Sequence, residues 1–211
     1  MQITEPTTML TDYLLALVAL VLAGRLFQLN ATNRYRSVQL WNFALIATAV
    51  AALLGGTAHG FALHLSDWLK TVIWKGTVWA IGFASFFMVA GTILATLPTG
   101  RLRRWLLALV LLKLVLYLAW MLGHDAFKYV IYDYVPAMVL VVLLQIKHYG
   151  ERRDPAALWL VGGIAVSFVA AGIQLSGLTL HKHFNHNDLY HVVQIGAIYL
   201  LYRGIALLED R

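Results

Sequence analysis

The chain has no cysteine, only four prolines among 211 residues, and few charges: Asp, Glu, Lys and Arg make up 12% of it. Without cysteine there is no disulfide, thiolate ligand or cysteine nucleophile, and the redox compartment stays undetermined. With so little charge, 61% hydrophobic residues and a mean hydropathy of +0.73, a soluble domain is excluded. A chain of this length cannot hide that much apolar surface from water, so lipid must be the solvent for much of it. Soluble-enzyme signatures are missing too: there is no G-x-S-x-G, P-loop or H-E-x-x-H. The start, MQITEPTTML, lacks a basic n-region, so the first apolar segment reads as a retained helix and not as a cleaved signal. Internal repeats, linkers and low-complexity tracts are also lacking, and residues 1–211 read as one domain.

What is present is a series of seven apolar segments: Met9–Leu29, Val38–Ala62, Thr71–Leu97, Arg104–Leu122, Phe127–Ile146, Ala156–Ser176 and Asp188–Leu208. Each has roughly the 20 residues that cross ~30 Å of hydrocarbon at 1.5 Å per residue. Backbone polar groups cannot go unpaired in lipid, so each segment is expected to be a helix and the whole an all-α bundle of seven transmembrane helices. Asp154-Pro155 reads as an N-cap with proline at the first helical position, Pro98-Thr-Gly as a stop and turn, and Pro136 as a kink in the fifth span.

The net charge of +6 would suit nucleic acid by count, but its placement suits lipid headgroups. When the segments are threaded alternately, all ten arginines fall at one set of helix ends, with Arg34 and Arg36, Arg101, Arg103 and Arg104, and Arg152 and Arg153 in or beside short connections. The positive-inside rule places these in the cytoplasm, with the N-terminus outside and the C-terminus inside; the expected location is the bacterial inner membrane and the expected partners are membrane lipids, not nucleic acid. Seven of eight histidines, His59, His64, His124, His181, His183, His186 and His191, fall at the opposite ends, and only His148 joins the arginines.

Lys75, Lys113, Asp133, Gln174 and Gln194 lie within spans, where a charge costs at least ~2.5–3.5 kcal/mol unless it points inward, pairs or snorkels. Lys113 and Asp133, on sequential helices, are expected to pair, either as a structural ion pair or facing a polar cavity, and Lys75 to snorkel outward. The seventh span opens His186-Asn-Asp188-Leu-Tyr-His191-Val-Val-Gln194, which puts Asp188, His191 and Gln194 on one helical stripe. His59 ends the second span at the same side. Imidazole and carboxylate are the ligands zinc takes in threes and fours, so His59, His186 and His191 are candidate metal ligands, with Asp67 and Asp188 as candidate catalytic bases. His181 and His183 read as an exposed loop, and His64 and His124 as interfacial residues.

These features resemble the CREST superfamily, which includes alkaline ceramidases, haemolysin III-like proteins and adiponectin/progestin receptors. The resemblance is carried by the seven spans, by His59 followed by Asp67 at the end of the second, and by Asn187-Asp-Leu-Tyr190-His191-Val, where the family tends to show His-x-x-aromatic-His-aliphatic. Asn187 stands in place of the first histidine of that pair, with His186 one position away, and Gly55 stands where the family has a serine, with Thr57 nearby. The resemblance implies zinc between histidines and hydrolysis of a lipid amide or ester. Against it stand a non-enzymatic receptor-like, transport or scaffold protein with structural or pH-sensing histidines, and a haem-binding electron carrier, which the concentration of histidine at one depth disfavours. The seventh span has no lysine for a retinal Schiff base.

Overall fold

A computed structural model describes residues 3–211. Its helices are α1 (Pro6–Leu29), α2 (Arg36–Phe61), α3 (Asp67–Thr96), α4 (Arg101–Gly123), α5 (Lys128–Arg152), α6 (Pro155–Ser176) and α7 (His186–Ile205). Local chemistry sets their ends. Pro6 and Pro155 occupy first-turn positions, where a missing N–H costs nothing. Asp154 caps α6 by accepting from the Ala156 amide. Ser66 caps α3 and starts it four residues before the expected Thr71. Asn185 caps α7, which begins at His186 instead of Asp188. Pro136 lies within α5 and faces outward.

Helices α1 to α6 are long and apolar enough to cross a membrane. Helix α7 has 20 residues, but His186, Asn187, Asp188, His191 and Gln194 crowd its first turns and dilute its hydropathy. Successive helices run in opposite directions and give the molecule two ends. At the first, the Thr4 amide donates to the Gly60 carbonyl, and here lie the starts of α1, α3, α5 and α7. At the second, the Arg211 amide donates to the Leu94 carbonyl and the Asp210 carboxylate accepts from the Arg36 and Ser37 amides at the start of α2. We call these the histidine end and the arginine end.

Six helices close a ring in the order α1, α2, α3, α5, α6, α7, with α7 back against α1. Helix α3 is its most enclosed member. Helix α4 stands outside the ring on α3, to which it presents the thin stripe Val110, Leu114, Tyr117 and Met121. Leu106, Leu107 and Leu118 are half-buried, and much of the rest of α4, including Trp105, Leu109, Leu112, Leu116 and Trp120, is exposed. Such a surface is stable against acyl chains and not against water. The ring interior holds one apolar cluster running from Leu15, Ala19 and Leu26 through Trp41, Met88 and Ile93 to Val141, Leu160, Ile198 and Ile205.

The two lysines in the spans find partners. Lys113 Nζ lies 2.8 Å from Asp133 Oδ1, as expected, and also donates to Ser85 Oγ at 2.7 Å. Lys75 reaches Asp125 and donates to the carbonyls of Met121 and His124, so it caps the last turn of α4 with its charge.

Candidate functional site

At the histidine end α1, α2 and α7 bring buried ionisable groups together. The α7 cap begins the arrangement. The Asn185 side chain accepts from the amides of Asn187 and Asp188, and Asp188 Oδ2 accepts from the Asn185 amide at 2.7 Å, a reciprocal capping box. That box aims Asp188 Oδ1 at α1, where Thr8 Oγ1 donates to it at 2.8 Å. Asp188 is therefore a cap and a tie to α1, with both carboxylate oxygens engaged.

One turn on, His191 is only 6% exposed and is held by α1 at both ring nitrogens. Its Nδ1 lies 2.9 Å from Thr11 Oγ1 and its Nε2 lies 3.1 Å from Asp12 Oδ1. Thr11 Oγ1 also donates to the Thr8 carbonyl at 3.0 Å. A hydroxyl has one proton to give, so toward His191 it accepts, and Nδ1 carries hydrogen. Nε2 and Asp12 Oδ1 must then share one proton between them, as imidazolium with carboxylate or as imidazole with carboxylic acid. Both forms are net neutral, which makes a pair this deeply buried tolerable.

Gly56 of α2 lets Asp12 and Tyr13 of α1 approach closely. A Cβ at Gly56 would meet the Asp12 Cβ and the Tyr13 ring at 2.9 Å. Tyr13 and Thr57 hydrogen-bond across the same seam at 3.0 Å. On the open side His59 Nδ1 lies 3.0 Å from Glu5 Oε2, with both side chains more than a third exposed. His59 acts electrostatically on His191, as Glu5 and Asp188 do on Asp12, so the groups form one field. The Tyr190 ring packs against that of His191 at 5.1 Å.

The expected site residues thus separate. His59, His191 and Asp188 belong to this cluster. His186 begins α7 with Nδ1 buried and without a partner. Asp67 is fully exposed at the start of α3 and pairs with Lys70 at 3.3 Å, which leaves it outside the buried cluster. His181 and His183 lie in an exposed loop, and His124 stacks on Trp120 at 3.9 Å. Among the described residues no three histidine or carboxylate side chains are grouped to hold one metal ion. The imidazole of His191 and the carboxylate of Asp188 are already spent on α1 and on the α7 cap, so as arranged here these residues do not fit the zinc that the resemblance implies.

Thr8, Thr11 and Asp12 were not singled out by sequence reasoning. The signal for Asp12 was present: a carboxylate inside the first apolar span carries the same penalty as Asp133 in the fifth. Thr8 and Asp12, four apart, then share its face.

An all-α fold with helices built for a membrane, and a buried polar cluster joining the first helix to the last, defines the class of this protein. The chain belongs to the family of unknown function DUF6962, whose profile matches residues 7–210. Neither a curated protein nor a solved structure matches it.

Proposed function

We propose that this is a non-enzymatic seven-helix membrane protein whose α1–α7 contact is a proton-dependent lock. In this reading all seven helices span, the N-terminus and the histidine end face outward, and the arginine end faces the cytoplasm of a bacterial inner membrane. The observation that carries it is the engagement of both His191 nitrogens by α1, Nδ1 at 2.9 Å from Thr11 Oγ1 and Nε2 at 3.1 Å from Asp12 Oδ1, a distance at which the pair holds a proton. Loss of that proton sets a carboxylate against an imidazole lone pair, and the contact becomes repulsive. The groups that act on the pair are Glu5, His59, Asp188 and Tyr190. The absence of cysteine permits a direct test. Spin labels at Leu10→Cys and Val192→Cys report the α1–α7 separation. We expect one short distance at neutral pH and a longer, broader distribution on alkaline titration. Asp12→Asn supplies a permanent N–H toward Nε2 and should stay closed throughout, whereas His59→Ala should open as the parent does. A parent distance unchanged from acid to alkali would overturn the lock.

The second reading is a lipid amide or ester hydrolase, the activity that the resemblance implies, working here without a step through zinc. It is favoured by a hydroxyl, an imidazole and a carboxylate in line at Thr11, His191 and Asp12, the order of nucleophile, base and orienting group. Turning the Thr11 hydroxyl from the Thr8 carbonyl toward Nδ1 would set that order in action. Purified protein assayed on fluorescent long-chain amides and esters decides between the readings. Turnover abolished by Thr11→Ala and His191→Ala would establish the hydrolase.

A further inference from the structure

The arginine end holds a cavity of about 210 Å³ between the last turn of α1, the connection into α2 and the chain that follows α7. Its floor is apolar and made of Leu26, Val38 and Leu208, all three buried. Its rim is polar and made of Asn33, Tyr35 and Glu209. Hydrogen bonds fix both sides. The Asn30 side chain donates to the Tyr35 carbonyl at 2.9 Å and accepts from the Tyr35 amide at 2.8 Å, which pins the connection. Opposite, the Asp210 carboxylate accepts from the Arg36 and Ser37 amides at 2.8 and 2.7 Å, which anchors the chain right beside Glu209. The cavity is therefore preformed, and an occupant does not have to order its walls.

Its charge runs against its surroundings. The ten arginines gather at this end, yet none lines the cavity. Arg34 and Arg36 alternate with the lining residues and are exposed to water, where salt screens them. The one charged residue of the lining is Glu209. Neighbouring acids are engaged, Asp210 by the α2 amides and Glu151 by Arg211, whereas Glu209 is exposed and has no ion pair or hydrogen bond among the described residues. A free carboxylate at the mouth of an apolar cavity complements a cation with an apolar body. Size narrows the class further. The volume is below the ~300–1,000 Å³ of pockets for drug-sized ligands. At the ~30 Å³ that a water molecule takes in the liquid, it holds roughly seven non-hydrogen atoms. We propose that this cavity binds a small aliphatic primary amine. The ammonium group, charged at neutral pH because its pKa is ~10, donates to the Glu209 carboxylate, and the alkyl body covers Leu26, Val38 and Leu208. An alcohol of the same length forgoes the ion pair. A carboxylate of that length sets like charge against Glu209, and methylamine leaves the apolar floor wet.

This site lies at the opposite end of the molecule from the α1–α7 lock and does not depend on it. The probe is n-hexylamine, titrated at pH 7 into the whole protein in a neutral maltoside detergent, with the methyl resonances of isotope-labelled leucine and valine as the readout. We expect saturable shifts confined to Leu26, Val38 and Leu208 and their neighbours, with an affinity at least fivefold above that of hexanol, hexanoate or methylamine. Glu209→Gln should weaken hexylamine binding at least fivefold. Ala206→Trp, at an exposed position of the lining, should abolish it by filling the cavity. Both variants replace exposed side chains and should fold, which the same methyl spectra report. Phosphatidylethanolamine added to the micelles separates a free amine from a lipid headgroup. Hexylamine affinity should then change less than twofold, and a larger loss would assign the cavity to the headgroup and overturn the proposal. No saturable shift, hexanol or hexanoate matching hexylamine, undiminished binding in either variant, or shifts spread over the lipid-facing methyls would also overturn it.

Discussion

Two adjacent glycines make opposite demands. At Gly56 an added Cβ would press on Asp12 and Tyr13 at 2.9 Å, whereas at Gly55 it would meet the Asp12 carboxylate at 3.7 Å, an ordinary contact. Gly56→Ala should therefore cost about 1–3 kcal/mol through overpacking. Gly55→Ala should be neutral or stabilise by up to about 1 kcal/mol, because alanine is the better helix former. Thermal unfolding in a mild detergent ranks the two, and equal effects would show that α1 does not rest on α2 at Gly56. This residue scale is also where the sequence was hardest to read. Lys113 and Asp133 announced themselves as charges within apolar spans. His191 and Asp188 stood out by the polar stripe of α7. Asp12 escaped because it lies one turn from the start of the apolar segment Met9–Leu29, where an acid passes for a boundary marker. No one-dimensional pattern links residue 12 to residue 191; only the closure of the ring does.

Among the elements, α7 depends most on its first turn. Its capping box satisfies the leading amides and at the same time orients Asp188 toward Thr8. Asn185→Ala should lower stability by about 1 kcal/mol, the usual cost of a lost cap. Asp188→Ala should cost more, since it removes both the cap and the tie to α1. Hydrogen exchange of the Asn187 to Tyr190 amides gives the comparison; protection unchanged in both variants would mean that packing alone holds the turn. Element type was legible almost everywhere, because apolar length in lipid admits little else than helix. The ends were less so: α3 begins four residues early because Ser66 caps it, and α7 two residues early because Asn185 does. The place of α4 outside the ring could not be read from hydropathy, which does not tell a lipid-facing leucine from a protein-facing one.

The whole molecule is polarised by charge. Arginines gather at one end and histidines at the other, and in the proposed topology the last helix ends in the cytoplasm. A reporter fused after Arg211 that is active only in the cytoplasm should therefore be active, and one active only outside should be silent; the reverse pattern would invert the bundle and put the histidine end inside. The ring also has a consequence for how the protein is made. Thr8 and Asp188, 180 residues apart, belong to the contact that closes it. A ribosome adding ~5–20 residues per second needs ~10–40 s to travel that distance. Through that interval α1 sits in the membrane with Asp12 unmatched, dependent on the translocon or on a passing chaperone for shelter. A nascent chain stalled or truncated before α7 would display an unpaired carboxylate in its first span, a mark that membrane quality control can recognise.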